Sequence, residues 1–269
     1  MNVIPLSAFD LCLAASLLVV LALTSFLLKL GLARRMLING TRMTVQLLLL
    51  GMVLKVIFAT LSVWNVIGMA TIMLLVAGRE VRARQKRKIS GLLGYGIGTG
   101  AMFVSSFSVT ILALVVIVQV EPWYTPQYAV PLLGMLLGNT MNGVSISSDL
   151  LISGLCDKRE IVEQRLLLGQ SWQEASADIR RDSMRTGMIP IINSMAAAGV
   201  VSLPGMMTGQ ILGGSSPVDA VKYQILIIFL IAVGTGFGVI FAIWMIGRLL
   251  FDNRQRLNLE RIEKNINAL

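Results

Sequence analysis

The chain has 269 residues, 55% hydrophobic and 14% charged, with a mean hydropathy of +0.78. Soluble domains carry about 25% charged residues, so this composition excludes an ordinary soluble domain and points to a membrane chain. Histidine is absent, which removes the commonest general base and metal ligand, and the net charge of +9 has to be read from its distribution.

Apolar runs predict seven spans, at about 6–28, 43–60, 63–78, 92–119, 128–151, 187–211 and 222–246. A helix needs roughly 20 residues to cross a hydrocarbon core of about 30 Å. Short alternating segments of the β-barrel kind do not dominate. The expected fold is therefore all-α, a polytopic transmembrane helical bundle forming a single domain over 1–269, with a charged insert at 157–185.

Charge gives the topology. Residues 29–42 carry Lys29, Arg34, Arg35 and Arg42 without an acid, and residues 79–90 carry six basic residues against Glu80. The insert holds six basic and six acidic residues, and the tail from Gly247 holds five basic against three acidic. With seven spans all four segments fall on one side, which the positive-inside rule makes cytoplasmic. The N-terminus is then outside and the C-terminus inside. Positive charge follows the first apolar run, so that run reads as an uncleaved anchor. The tail reads as a short frayed helix. Cys12 and Cys156 sit near opposite faces, too far apart for a disulfide, and read as buried apolar thiols.

The glycine run GLLGYGIGTG at 91–100 lacks the G-K-[ST] that a phosphate loop needs. Gly94 with Gly98, and Gly96 with Gly100, have the spacing that lets helices pack closely, repeated by Gly234 and Gly238. The basic loop at 79–90 sets topology and attracts anionic lipid heads. It carries no interleaved aromatics, which argues against nucleic acid.

In the fifth span, Asn139, Asn142, Ser145 and Asp149 share about a third of the helix circumference. They either line a hydrophilic pathway, with Asp149 at its cytoplasmic mouth, or make interhelical hydrogen bonds.

In the insert, Ile161, Leu168, Trp172, Ala175 and Ile179 recur at near-helical spacing. Gly169 suits a helix stop. Ser171 and Glu174 have the spacing of a capping box. The reading is helix, tight turn, helix. Its balanced charge favours a protein groove over a membrane surface, where basic helices are usual.

After it, SMAAAG at 194–199 and SLPGMMTGQILGG at 202–214 predict a broken helix, with Pro204 and Gly205 as the hinge. Interrupted helices often mark transport sites. Met206 and Met207 either contact a soft metal ion or fill gaps in apolar packing. No nucleophile–base pair emerges, so the chain is expected to be non-catalytic alone and to bind no cofactor.

Two resemblances sharpen this. Glu163-Gln164-Arg165, three residues, then Gly169 resembles the EAA-x-x-x-G coupling loop of ABC transporter permeases, with Gln164 and Arg165 in place of both alanines. That implies docking on a cytoplasmic ATPase through Glu163, Arg165, Leu168, Gly169 and Trp172. LPGMMTGQILGG, Pro217 and Ala220 to Gln224 resemble the signature of Fet-type ABC permeases, assigned to iron export and metal resistance, with plant relatives linked to aluminium tolerance. The likeness extends through Arg42, Gln46, Leu47, Gly138, Asn139 and Arg181-Asp182-Ser183.

What the resemblance implies is a permease domain in a bacterial inner membrane, surrounded by lipid, that works with a separate ABC ATPase subunit. ATP and Mg²⁺ would bind on that partner, and two permease chains would pair with two ATPase chains. The cargo would be a metal ion such as iron, passing Gln46, Asn139, Asn142, Met206, Met207 and Gln210. The rival readings are an ion-coupled secondary transporter, which would need buried mid-span acids, and a structural or regulatory membrane subunit that moves nothing.

Overall fold

The computed structural model describes residues 7–252 and 254–262, which are helical and turn segments with no strand among the described residues. They divide into two compact units. One is the chain up to Leu61 with Gly209–Ser215; the other is Ser62–Thr208 with the chain from Ser216 onward.

The first unit holds α1, Ala8–Leu27, and α2, Ala33–Ala59. Ser7 caps α1 reciprocally: its hydroxyl accepts the Asp10 N–H at 3.3 Å, and the Asp10 carboxylate accepts the Ser7 N–H at 2.8 Å. Lys29 and Gly31 take positive φ in the turn that follows. α2 begins ten residues before the expected start at 43, so Arg34, Arg35 and Arg42 are helical rather than loop residues.

The second unit is built around α6, Pro126–Asp157, packed against α3 (Val63–Arg84), α9 (Ala177–Ala197) and α11 (Pro217–Leu250). Between α3 and α6 runs an unbroken helical stretch: α4 (Gly91–Met102), a π-helical turn at Phe103–Phe107, α5 (Ser108–Leu112) and a second π turn at Ala113–Ile117. Leu136, Val144, Leu151, Ile152, Leu155, Val239, Ile243 and Leu250 are fully buried at its centre. The helices approach closely where side chains are small. A Cβ on Gly187 would lie 2.7 Å from Ser147 and 2.8 Å from the Gly143 carbonyl, so α6 and α9 touch nearly backbone to backbone there. Gly98 packs against Val81 and Gly238 against Thr140, as the G-x-x-x-G spacing suggested, whereas Gly96 and Gly100 meet nothing within 4 Å.

Among the described residues, five helical stretches are long and apolar enough to cross a membrane: α1, α2, Gly91–Ile117, α6 and α11. The expected span at 63–78 falls on α3. The expected span at 187–211 is not one helix. α9 stops at Ala197, and the chain turns through Gly199 at φ +80° with its N–H donated to the Ser202 carbonyl at 2.9 Å. After Pro204 a short helix, α10 (Gly205–Leu212), begins. Glycine adopts that left-handed turn without strain, and proline cannot continue the hydrogen-bond ladder.

Over its described residues, up to Ile262, the tail is not a frayed helix, and the part of that expectation beyond 262 lies outside the described residues. Beyond Leu250 it folds back, bridging Phe251 to Leu257 and Ile89 to Ile262, with one 3-10 turn at Leu259–Arg261. Leu257 and Ile262 bury against the bundle, which a solvated helix would not allow. Cys12 and Cys156 are free thiols, and Cys12 is exposed rather than buried.

Candidate functional site: a charged end and a polar cavity

The charged insert is a helical hairpin that grows directly out of the bundle. α6 runs to Asp157 and passes at Lys158 into α7, Arg159–Leu167. Gly169 makes the turn at φ +88°. Ser171 then opens α8, Trp172–Ala175, with the expected capping box: the Ser171 hydroxyl accepts the Glu174 N–H, and Glu174 accepts the Ser171 N–H at 2.9 Å. That backbone bond, then the Ser171 hydroxyl, holds the Glu174 carboxyl below its ordinary pKa. Ser176 separates α8 from α9, which re-enters the bundle.

Ion pairs brace the hairpin. Arg165 reaches across the turn to the Asp178 carboxylate at 2.9 Å and the Ala175 carbonyl at 3.1 Å. This gives a use to the arginine that replaces an alanine of the coupling-loop pattern. Arg159 pairs with Glu163 at 2.7 Å, and that bond raises the guanidinium's pKa. The expected apolar face is only partly right. Val162, Trp172, Ala175 and Ile179 are buried, while Ile161 and Leu168 are exposed. The tip carries Leu167 and Leu168, 87% and 84% exposed.

Trp172 is the anchor. Its ring stacks on Phe251 with centroids 5.6 Å apart, and the Arg180 guanidinium lies 5.0 Å from its centroid. Its backbone N–H donates to Gln255 Oε1 at 2.7 Å. A Cβ on Gly247 would come within 2.5 Å of the indole, so α11 presents a glycine beneath it. Of the five proposed docking residues, Trp172 thus faces inward, Arg165 and Glu163 are tied in ion pairs, and Leu168 and Gly169 stand at the tip.

The basic loop after α3 docks on a polar stripe of α6. Arg84 donates to Asn142 Oδ1 at 2.5 Å, the Lys86 N–H to Asp149 Oδ1 at 2.7 Å, and Arg87 to Asp157 at 2.9 Å. The Asp157 bond raises the Arg87 pKa. The tail closes this end: the Ser90 N–H donates to the Arg261 carbonyl and the Asn258 N–H to the Leu250 carbonyl, each at 2.7 Å. Asn142 and Asp149 are therefore bonded to the basic segment, Asn142 only one helical turn from Asn139.

Near the middle of α6, one helical turn before Asn142, lies a polar cavity of about 460 Å³, lined by Asn139, Asn193, Ser194, Ser202, Pro204 and Gln224 together with Ile191, Ala197, Ile228 and Ile231. The break between α9 and α10 forms one wall. Asn139 Nδ2 donates to the Met135 carbonyl at 2.8 Å, leaving its oxygen free. Ser194 donates to the Pro190 carbonyl at 2.9 Å and Ser202 to the Ala197 carbonyl at 3.3 Å. Gln224 is buried, and its Oε1 has no hydrogen-bond partner. Every polar lining group is neutral. Met206 and Met207 are not among the lining residues, and neither is Gly205. Gln46 and Gln210 belong to the first unit; Gln46 is exposed, and Gln210 carries a buried oxygen without a partner.

Asn193, Ser194 and Gln224 were not anticipated as lining residues. A lone amide two turns inside the 34-residue apolar helix α11 was the available signal for Gln224. Among the described residues no group of three or more Cys, Asp or Glu side chains is placed to hold a metal ion.

In sequence the chain is similar to known membrane proteins. Residues 8–251 match the family described as "Uncharacterised protein family (UPF0014)". A UPF0014 membrane protein of Synechocystis is 38% identical over 229 residues, 85% of this chain and 87% of its own length. The probable iron export permease protein FetB of Escherichia coli is 31% identical over 259 residues, 95% of this chain and 96% of its own. Protein ALUMINUM SENSITIVE 3 of Arabidopsis thaliana is 31% identical over 216 residues, 80% of this chain and 77% of its own. No solved structure matches. By the extent of that match and the length over which these relatives align, the chain belongs to the UPF0014 family.

Proposed function

We propose that the chain is the membrane permease subunit of an ATP-driven transporter that exports a metal cation such as iron, energised by a separate ABC ATPase. The observation that carries this is the hairpin at 157–185. It is continuous with two helices of the bundle, α6 and α9, and it ends in two exposed leucines. Leucines held out on a charged surface favour cover by an apolar groove, because each withholds apolar area from water only when a partner is present. The name of the Escherichia coli relative, "Probable iron export permease protein FetB", supports both the transport role and the cargo.

In this reading the chain makes seven passes of the bacterial inner membrane, α3 and the broken α9–α10 pair adding two to the five apolar spans. The charged end is cytoplasmic and the N-terminus outside. Two copies pair with two ATPase chains, which bind ATP and Mg²⁺. Closure of the ATPases pushes on Leu167, Leu168 and Gly169. The brace of Arg165 on Asp178 moves the hairpin as one piece, so α6 and α9 tilt together. Pro204 and Gly205 are the hinge, and Asn139 faces the path.

The test has two arms. Affinity-tagged permease co-expressed with its ATPase should retain that ATPase through purification. Cells carrying both subunits should accumulate less iron than cells carrying the permease alone; equal iron content sinks the export claim.

A further inference from the structure

We infer that the cavity walled by Asn139, Asn193, Ser194, Ser202 and Gln224 is where the transported divalent cation pauses, held through its water shell by neutral oxygens with Gln224 Oε1 as the principal acceptor. This rests on reading the chain as a cation permease, and it names the site and the state of the ion there.

The first support is Gln224 itself. Its side chain is nine-tenths buried, it lines the cavity, and its Oε1 accepts no hydrogen bond. An unmet buried amide oxygen is a standing cost, so it persists where something transient satisfies it.

The second is the donor set around it. Ser194 and Ser202 spend their hydroxyl protons on backbone carbonyls, so their lone pairs remain available. Asn139 is fixed in the same way, with its amide nitrogen bound to Met135 and its oxygen free. The helix is interrupted on the same wall between Ala197 and Gly205, as backbone is when it lines a wet cavity within a membrane.

The third is charge. The lining holds no carboxylate, thiol or thioether. Oxygen donors suit hard or borderline divalent ions and disfavour soft ones such as Cu(I). A carboxylate cage would bind such an ion too tightly for release, whereas a transit site has to bind weakly enough to empty. At about 460 Å³ the cavity has room for an ion that keeps much of its water.

The experiment uses the full-length permease in lipid nanodiscs without its ATPase, with Mn²⁺ alone as the probe, followed by the loss of the free-ion signal in electron paramagnetic resonance. Wild-type protein should bind with a Kd on the order of 10⁻⁴ M or weaker. Gln224→Glu adds a charge beside the ion and should tighten binding about tenfold, and Gln224→Leu should weaken it about tenfold. Asn193→Asp, at an exposed position that does not disturb packing, should also tighten binding. A role in packing alone would predict no gain from either acid. Affinity that ignores all three substitutions overturns the site, and if iron export still needs the ATPase, the permease reading stands. Affinity that follows them supports the site even where cells show no export, in which case the export reading is what fails.

Discussion

Two regions along α6 solve opposite problems. In the charged region, groups with strong demands are exchanged among themselves: Arg87 with Asp157, Arg165 with Asp178, Arg84 with Asn142, and the Trp172 backbone N–H with Gln255. In the cavity, neutral amides and hydroxyls leave oxygens uncommitted, and Gln224 is buried with one of them. A region that pairs its polar groups holds shape and transmits force. A region that leaves them unpaired gives up stability to keep a place for something that comes and goes. Substitutions should therefore cost stability at the first and function at the second.

Trp172→Ala is the most severe test of that contrast. It removes a buried ring stacked between Phe251 and the Arg180 guanidinium and opens a cavity above Gly247. The expected loss is about 3–5 kcal/mol, as for other buried aromatic truncations. It should appear as a lowered thermal midpoint, with faster amide exchange across 157–185 and the tail together. A midpoint equal to the wild type would show that the hairpin is not anchored by this residue.

Ser171→Ala comes next, at about 1 kcal/mol, the usual worth of an N-cap. The same cap carries a pH signature. Glu174 has its pKa lowered by the Ser171 backbone N–H and then the hydroxyl. Its share of the stability is complete above the unfolded value of about 4.3 and is lost as pH falls through the lower folded value. In Ser171→Ala the acid-side loss should shrink, measured as the difference in thermal midpoint between neutral pH and about pH 4.

Gln224→Leu reverses the sign. Removing an unmet buried acceptor and supplying a similar apolar volume should leave stability unchanged or raise it by up to about 1 kcal/mol. Iron export should fall all the same. A clear loss of stability would place Gln224 with the packed residues and erase the contrast.

How much of this was legible in the sequence follows from the range of the interactions. The hairpin was readable because its determinants are local: Gly169 takes the left-handed turn, and Ser171 and Glu174 cap each other three residues apart. The break before Pro204 was readable for the same reason. The partners of the α6 stripe were not. Periodicity put Asn142 and Asp149 on one face, but their partners, Arg84 at the end of α3 and Lys86 just after it, lie 58 and 63 residues away in a segment whose charge already had a topological explanation. The tail was misread because Leu257 and Ile262 find their partners at Phe251 and Ile89, a pairing no helical spacing reveals. The cavity draws on residues from 139 to 231, so Asn139 was identified singly and its companions were not.

The smallest expected effect on stability is the one that isolates the partner. Leu167→Ser with Leu168→Ser changes two side chains that are more than four-fifths exposed, so the folded chain loses almost no buried area. Surface changes of this kind stay within about 0.5 kcal/mol, and the thermal midpoint should not move. The turn is made by Gly169 and the cap by Ser171, so the hairpin's shape is also retained. Whatever activity disappears then belongs to a contact outside this chain. If the leucines dock on an ATPase, the double substitution should abolish its co-purification and iron export while the nanodisc protein binds Mn²⁺ as before. If the complex survives intact, the tip is not the coupling surface, and the force has to enter through another part of the charged end.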